Sequence, residues 1–404
     1  MRAVALRARA AARALRTLPA AERDRALRAM AAALRRERAG IECANRADLA
    51  AETNPVRAER LRLDVEAVAQ SLETIAELPD PLARIERRQA PGGFALSRRR
   101  VPIGVILMIF ESRPGVTPEA GALCLKSGNA ALLKGGAEAQ RTNEAILAAI
   151  APAAPEGAIQ LLPAGHAAVA ELLTMDDLID LVIPRGGEAL IRAVAAQSRI
   201  PVLKHDRGNC HVYVDAGADL DMAERILENA KCQRPATCNA AEKVLVHEQV
   251  AAAFVPRLAR LGVTLRGDER ARALLPMEAA GEADWAAEYL DRVLGVKVVA
   301  SLEEAIDHIE RWGSHHTDAI VTRDERAARA FLDEVDSATV LWNASTRLAD
   351  GGVFGLGAEI GISTGRLHAR GPMGLEELTT SKWVVEGDGH LRADSTRAED
   401  QQAG

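Results

Sequence analysis

The chain has 404 residues, 48% apolar and 27% charged, which is long enough for two or three globular domains. Its longest apolar run, Ile103–Phe110, is far short of a bilayer span, which argues against a membrane protein. A net charge of -6 with only 3% aromatic residues argues against a nucleic-acid binder, which needs a basic footprint and stacking platforms. Five cysteines, an odd number with no CxxC spacing, argue against a disulfide framework or a zinc site and point to a reducing cytoplasm.

The first 80 residues read as helices. Met1–Leu18 is Arg-rich and lacks acids, as transit peptides do. Its helical pattern runs on through Leu34, which favours a first surface helix. Ala20–Arg36 is amphipathic, Asn45–Glu52 is short with Asn45 as its cap, and Val65–Leu78 is a further helix ending near Pro79. Residues 81–100 change character. Pro91-Gly92-Gly93 marks a tight turn and Ser97-Arg98-Arg99-Arg100 a basic run, together predicting a β-hairpin that stands away from the body.

From residue 101 strand and helix alternate. Strands are predicted at Ile103–Phe110, Ala130–Leu133, Ile159–Leu162, Leu178–Ile183, Pro201–Leu203 and His211–Val214. Helices are predicted at Pro118–Lys126, Glu138–Ile150, Ala167–Leu173 and Glu188–Gln197. Such alternation implies a doubly wound parallel sheet, which binds ligands beyond the carboxyl ends of its strands. Three of those ends carry suggestive residues: Phe110-Glu111-Ser112-Arg113-Pro114, Lys134-Gly135-Gly136 and Pro184-Arg185-Gly186-Gly187. The last opens the helix at Glu188 and can offer bare N–H groups to a pyrophosphate. No G-x-G-x-x-G is present, and Gly-Gly pairs also serve as plain turns.

A helix at Leu220–Lys231 is stopped by Pro235, and Cys238 follows in a loop before the strand Lys243–His247. A lone cysteine is more often a small buried hydrophobe, but a loop fixed between helix and strand suits a reactive thiol better than the helix end at Cys232. A second α/β unit follows, with strands at 262–266, 294–299, 318–322 and 338–342 and helices at 249–260, 302–311 and 324–334. It ends in Trp342-Asn343-Ala344-Ser345-Thr346-Arg347 and a Gly-rich run from Gly351 to Gly365. A strand at Thr380–Val385 and a polar tail from Gly387, expected to be disordered, close the chain.

Several ordered strings resemble one family. They are Val101-Pro102-Ile103-Gly104-Val105-Ile106, Phe110-Glu111-Ser112-Arg113-Pro114, Ala122-Leu123-Cys124-Leu125-Lys126-Ser127-Gly128-Asn129-Ala130 and Gly208-Asn209-Cys210-His211-Val212-Tyr213-Val214-Asp215. Gln233-Arg234-Pro235, Cys238-Asn239-Ala240, Asn343-Ala344-Ser345-Thr346-Arg347 and Gly355-Leu356-Gly357-Ala358-Glu359-Ile360-Gly361 continue the series. From about residue 20 to 386 the chain resembles the gamma-glutamyl phosphate reductase family of the aldehyde dehydrogenase superfamily.

The resemblance implies an aldehyde dehydrogenase-like α/β fold with two doubly wound parallel-sheet domains. It places an NADP-binding domain at 1–84 and 102–232 and a catalytic domain at 233–366. A small β oligomerisation element falls at 85–101 and 376–386, with a tail at 387–404. It implies NADPH-dependent reduction of L-glutamyl 5-phosphate to the 5-semialdehyde in L-proline biosynthesis. Cys238 would be the nucleophile that carries a thioester, and Cys232 would fall to packing.

Lys134, Arg185, Gly186 and Gly187, with Glu111 and Ser112, are the implied cofactor contacts. Arg113, Arg234, Asn239, Asn343, Ser345, Thr346 and Arg347 are the substrate candidates. Oxidising relatives carry a water-activating Glu where this chain reads His205-Asp206-Arg207-Gly208, which leaves phosphate as the partner. A homodimer or tetramer is expected, and association with a glutamate 5-kinase is open. A hydrolytic aldehyde dehydrogenase, a reductase of another acyl phosphate, and a non-catalytic nucleotide-binding or assembly protein are the competing readings.

Overall fold

The N-terminal residues fold as helices because apolar positions recur every three or four residues. The computed structural model describes residues 1–90, 93–163, 165–204 and 207–392. Helix α1 (Arg2–Leu15) buries Ala5, Ala8, Ala11, Ala12 and Leu15, small side chains that let it lie close over the first sheet. The helical run expected to continue through Leu34 is split by Pro19, which has no N–H and restricts Leu18. Helices α2 (Ala20–Arg36), α3 (Arg38–Ala51), α4 (Pro55–Leu61) and α5 (Val65–Glu77) follow.

Asn45, expected as a cap, lies inside α3 instead. It is buried, and its Nδ2 donates to the Leu61 carbonyl at 2.8 Å and to Thr142 Oγ1 at 3.3 Å. A buried amide with tertiary partners outweighs the local preference for a helix end.

The hairpin strands β1 (Ile85–Gln89) and β2 (Ala95–Pro102) pair antiparallel, with Pro91 and Gly92 outside the described residues. The next strands are β3 (Val105–Phe110), β4 (Ala130–Lys134), β5 (Ile159–Leu161) and β6 (Leu181–Arg185). They form a parallel sheet in the order β5-β4-β3-β6. Helices α6 (Val116–Lys126), α7 (Gln140–Ile150) and α8 (His166–Leu172) make the crossovers, and α9 (Glu188–Gln197) follows β6. All six residues of β3 are buried, as a continuous apolar run covered on both faces requires. The strand expected at Pro201–Leu203 is a single parallel bridge, Val202 to Val182.

Strand β7 (Cys210–Val214), expected to continue this sheet, joins the next one. It lies between β8 (Ala241–His247) and β12 (Thr317–Val321) of a seven-stranded parallel sheet. That sheet also holds β9 (Thr264–Gly267), β10 (Glu278–Ala279), β11 (Val293–Val299) and β13 (Thr339–Trp342), in the order β10-β9-β11-β8-β7-β12-β13. Buried on both faces, β7 is a central strand. Residues 210–232, with helix α10 (Leu220–Cys232), therefore stand with the second sheet, although 232 was expected to end the first. Periodicity shows that a strand exists, not which sheet it joins.

Periodicity left residues 268–292 unassigned. They hold short helices at Glu269–Leu274 and Glu282–Ala286. A two-stranded hairpin, β14 (Gly361–Ser363) and β15 (Gly371–Met373), precedes β16 (Thr379–Glu386). Strand β16 returns to pair antiparallel with β2 along its full length. Most of the tail expected from Gly387 lies outside the described residues. Among the described residues no helix is long and apolar enough to cross a membrane.

Asn129 ties these layers together. Fully buried, it accepts the Gly104 N–H at 2.7 Å and donates to Ser127 Oγ and the Leu378 carbonyl, both at 2.8 Å. Asn129→Ala strands a buried donor and a buried acceptor, so its stability should fall by about 2–4 kcal/mol. A urea transition should show this as a lower midpoint at unchanged slope.

Candidate active site

The carboxyl ends of the first sheet form one wall of the site. Register sets Lys134 on β4 beside Ile109, and Arg185 on β6 beside Phe110. Beyond β3, Ser112 takes a left-handed conformation (φ 45°) that costs a non-glycine residue about 1–3 kcal/mol. It is held there by Glu138 Oε1, which accepts the Ser112 N–H at 2.7 Å and its hydroxyl at 2.6 Å. Burial pushes the Glu138 carboxyl up, but these donors and the nearby Lys134 outweigh burial and leave it below the usual carboxylate range. Ser112, a cofactor candidate, is therefore turned inward with both donors engaged.

The Gly187 N–H at the mouth of α9 donates to Glu111 Oε2 at 2.9 Å. A Cβ on Gly186 would lie 2.4 Å from the same oxygen, so glycine is required for the carboxylate to enter. A negative group at a helix N-terminus is the arrangement that the free N–H groups and the helix dipole favour.

Cys238 forms the facing wall. Asp219 caps α10, accepting the Asp221 and Met222 N–H groups at 3.0 Å. The chain leaves the helix at Cys232, whose thiol packs on the Leu261 carbonyl at 3.6 Å. Two successive turns follow, Thr237 N–H to Arg234 carbonyl and Ala240 N–H to Thr237 carbonyl, and these lift Cys238 out of the sheet. Arg347 clamps the loop on both sides of the cysteine: its Nε donates to Gln233 Oε1 at 2.9 Å and its Nη1 to Asn239 Oδ1. Asn239 is buried and donates onward to the Ala349 carbonyl at 3.0 Å.

Beneath the loop lies Gly208. A Cβ there would sit 1.7 Å from the Cys238 carbonyl oxygen and 2.5 Å from its carbon, so the Cys238 peptide rests directly on the Gly208 backbone. The Cys210 thiol donates to the same carbonyl at 3.3 Å.

Charge gathers around the thiol of the partly exposed Cys238. Burial, with help from Glu359 and Glu288 and against the pull of Arg185 and of its own N–H, leaves it pushed up to about 11. Burial lowers Arg113, and the neighbouring cations Arg185, Arg60 and Arg234 lower it further. Burial likewise lowers Arg347, with Arg234 adding to it and Asp350 opposing. A Cβ on Gly361 would be 2.7 Å from Arg185 Nη1, so the Gly-rich run covers that guanidinium closely. Arg113, Arg234, Asn239 and Arg347, all expected at the site, thus converge with Arg185 on Cys238.

Ser345 and Thr346 support Arg347. Ser345 Oγ accepts the Arg347 N–H at 3.3 Å, and Thr346 is fully buried. Asn343 is not brought to the loop. It follows the carboxyl end of β13, whereas Cys238 precedes the amino end of β8 in the same parallel sheet. Its amide is spent on Thr322, accepting the N–H at 3.0 Å and donating to the carbonyl at 2.9 Å. His205 and Asp206 lie outside the described residues.

The model of the aldehyde dehydrogenase family matches residues 1–294. Over 405 aligned residues the chain is 51% identical to a gamma-glutamyl phosphate reductase from Moorella thermoacetica, covering 96% of this chain and 97% of that protein. The chain belongs to the gamma-glutamyl phosphate reductase family. A crystal structure of the reductase of that name from Thermotoga maritima matches with a TM-score of 0.95 at 42% identity, covering 96% of this chain and 99% of that one. An acetylating aldehyde dehydrogenase from Geobacillus thermoglucosidasius shares the fold, with a TM-score of 0.71 at 18% identity and 97% of each chain covered.

As a member of the gamma-glutamyl phosphate reductase family the chain is an oxidoreductase of a superfamily that uses a nicotinamide cofactor. The first wall fits such a nucleotide. Two cations, Lys134 and Arg185, stand at the ends of β4 and β6, on either side of β3, and the mouth of α9 already accepts an anionic group, Glu111. Arg60, Gly208, Glu288 and Glu359 escape a reading of site residues from sequence. Gly208 and Glu359 stand inside family strings without any sign of what they touch, while Arg60 and Glu288 reach the site only through the fold.

The thiol's position sets a measurable curve. Alkylation of Cys238 by iodoacetamide, followed by mass spectrometry, should rise about tenfold per pH unit from pH 7 and level off only above pH 10. Arg185→Gln removes a cation that favours the thiolate, so its curve should move to higher pH and its rate at pH 8 should fall. A plateau near pH 7, or faster alkylation in the variant, would contradict this charge balance.

Proposed function

We propose that this chain reduces L-glutamyl 5-phosphate to L-glutamate 5-semialdehyde, releases phosphate, and uses NADPH, as a step of L-proline biosynthesis. One observation supports the reading beyond the relatives' name: a partly exposed residue, Cys238, with Arg113, Arg185 and Arg347 within electrostatic reach and Arg234 beside Arg113 and Arg347. Burial, with other guanidinium groups nearby, lowers Arg113 and Arg347, so an anion would be welcome there, and an acyl phosphate brings one to the carbon a thiol would attack.

The Cys238 thiolate attacks the acyl carbon, a C–S bond forms, the C–O bond to phosphorus breaks, and phosphate leaves into the arginine cluster. Sulfur suits both halves of the cycle, as nucleophile and as leaving group. The Cys238 N–H, which lies by its own sulfur, is one donor for the transient oxyanion. Lys134, Arg185, Gly186 and Gly187 would hold the nucleotide, which supplies hydride to the thioester carbon when bound. The resulting thiohemiacetal collapses, the C–S bond breaks, and the thiolate is restored as the aldehyde leaves.

In this reading the first sheet binds nucleotide, the second presents the nucleophile, and the β1-β2-β16 sheet joins copies of the chain. Trp383 and Val385 on β16 are 53% and 58% exposed, Arg88 and Arg98 both stack over Trp383, and β16 is the outer strand. The five free cysteines suit a reducing compartment such as the cytoplasm.

The test runs the reaction backwards, measuring NADP reduction with glutamate semialdehyde with and without phosphate. The expected result is phosphate-dependent activity that falls on the order of 10³-fold or more in Cys238→Ala. Activity indifferent to phosphate would make this a hydrolytic dehydrogenase, and activity that survives the substitution would move the nucleophile elsewhere.

A further inference from the structure

Residues 285–289 form a strap that is fastened to the second sheet by unusually costly groups. Asn209, fully buried, donates through Nδ2 to the Trp285 and Trp312 carbonyls at 2.8 and 2.7 Å. Lys243, also fully buried, donates to Asn209 Oδ1 at 2.9 Å and to the Ala287 carbonyl at 2.7 Å. Buried Glu242 accepts the Tyr289 N–H at 3.1 Å and pairs with buried Lys231 at 3.2 Å. Charges taken wholly out of water are a poor way to gain stability alone, so their work is sought in what they hold in place.

The strap sends one side chain toward the nucleophile. Glu288 Oε1 accepts the Gly208 N–H at 2.8 Å, and Gly208 is the residue on whose Cα the Cys238 carbonyl lies. Gly208 has the widest backbone freedom of any residue type, so the peptide beneath Cys238 is only as fixed as its hydrogen bonds make it. The neighbouring Asn209 N–H is tied to Ser314 Oγ at 2.9 Å, and the Cys210 thiol to the Cys238 carbonyl; among the described residues of 207–210 the Gly208 N–H is the anchor at the near end.

We propose that Glu288 is a positioning residue for Cys238: through the Gly208 N–H it holds the backbone surface against which the Cys238 peptide, and with it the thiol and the oxyanion-binding N–H, is set. The inference rests on Cys238 being the nucleophile. Glu288 does not touch substrate in this role. It is distinct from the water-activating Glu of oxidising relatives, since it arrives from a different segment and spends its carboxylate on a backbone amide.

Reach and charge can be separated. Glu288→Gln keeps the length and the acceptor oxygen but loses the charge. Glu288→Asp keeps the charge but is one methylene too short, and Glu288→Ala loses both. Turnover should stay within about threefold of wild type in the Gln variant and fall on the order of 10- to 100-fold in the Asp and Ala variants, with KM changed by less than about twofold. Urea midpoints identify any variant that simply unfolds, and the Asp variant decides if Ala does.

Turnover is read beside a measurement that needs no activity: iodoacetamide labelling of Cys238 at pH 8. The Asp and Ala variants should depart from wild type at least about threefold in labelling rate, and the folded Gln variant should restore turnover. Equal turnover in Gln, Asp and Ala, whether all high or all low, would overturn the proposal. So would unchanged labelling in the Asp and Ala variants. A wild type without turnover on glutamate semialdehyde would count against the assigned reaction instead, and the labelling comparison would still judge Glu288.

Discussion

The site depends on one contact without slack, the Cys238 carbonyl lying on the Gly208 backbone. A hydrogen in place of a Cβ lets the strand-entry segment 208–210 pass directly under the Cys238 loop. The turns after α10 raise the cysteine, Arg347 grips the loop from above through Gln233 and Asn239, and Gly208 supports it from below. Three distant parts of the chain thus meet at one peptide. A reactive side chain on a loop keeps its aim only if the loop itself is pinned, and here a close-packed backbone contact supplies the stiffness that regular structure would otherwise give.

Charge is the second organising constraint. Arg113 and Arg347 stand where burial, and the cations nearby, disfavour their ionised forms. The fold holds two of the arginines at this site in place. Arg347 is tied to two amide oxygens, Arg185 lies against Gly361, and the carboxylates Glu288 and Glu359 are within electrostatic reach of the same thiol. The free protein therefore holds an electrostatic imbalance that a bound anion would relieve. Burial raises the Cys238 thiol, which favours its protonated form in the free protein.

Much of the architecture was legible because its signals are local. Amphipathic spacing places α2 and α9 at their observed bounds, and the buried run of β3 reads directly as a covered parallel strand. Cys238 and its companions Arg234, Asn239 and Arg347 were legible through the family's ordered strings. What was not legible depends on partners far along the chain. The sheet that β7 joins is decided by its neighbours β8 and β12, not by its own residues. Asn45 and Asn343 have the composition of a cap and a ligand, yet each spends its amide on backbone across the fold. Gly208 looks like any turn glycine until the Cys238 carbonyl is set upon it. Glu288 sits in a segment with no clear period, where short helices are made by tertiary contacts and not by propensity.

The return of β16 to β2 bears on how the molecule is made. Ile360, Ala369, Met373, Leu375 and Leu378 belong to the same buried cluster as the helices and strands of the first 203 residues, and Asn129 is completed only by the Leu378 carbonyl. The first sheet is therefore synthesised early but cannot be finished early. A chain emerging from the ribosome carries it with an open seam until residues 360–386 have been added, while the second sheet, whose strands span only residues 210–342, can close first. Of the two sheets, the one whose strands come earlier in the sequence is the one that matures last.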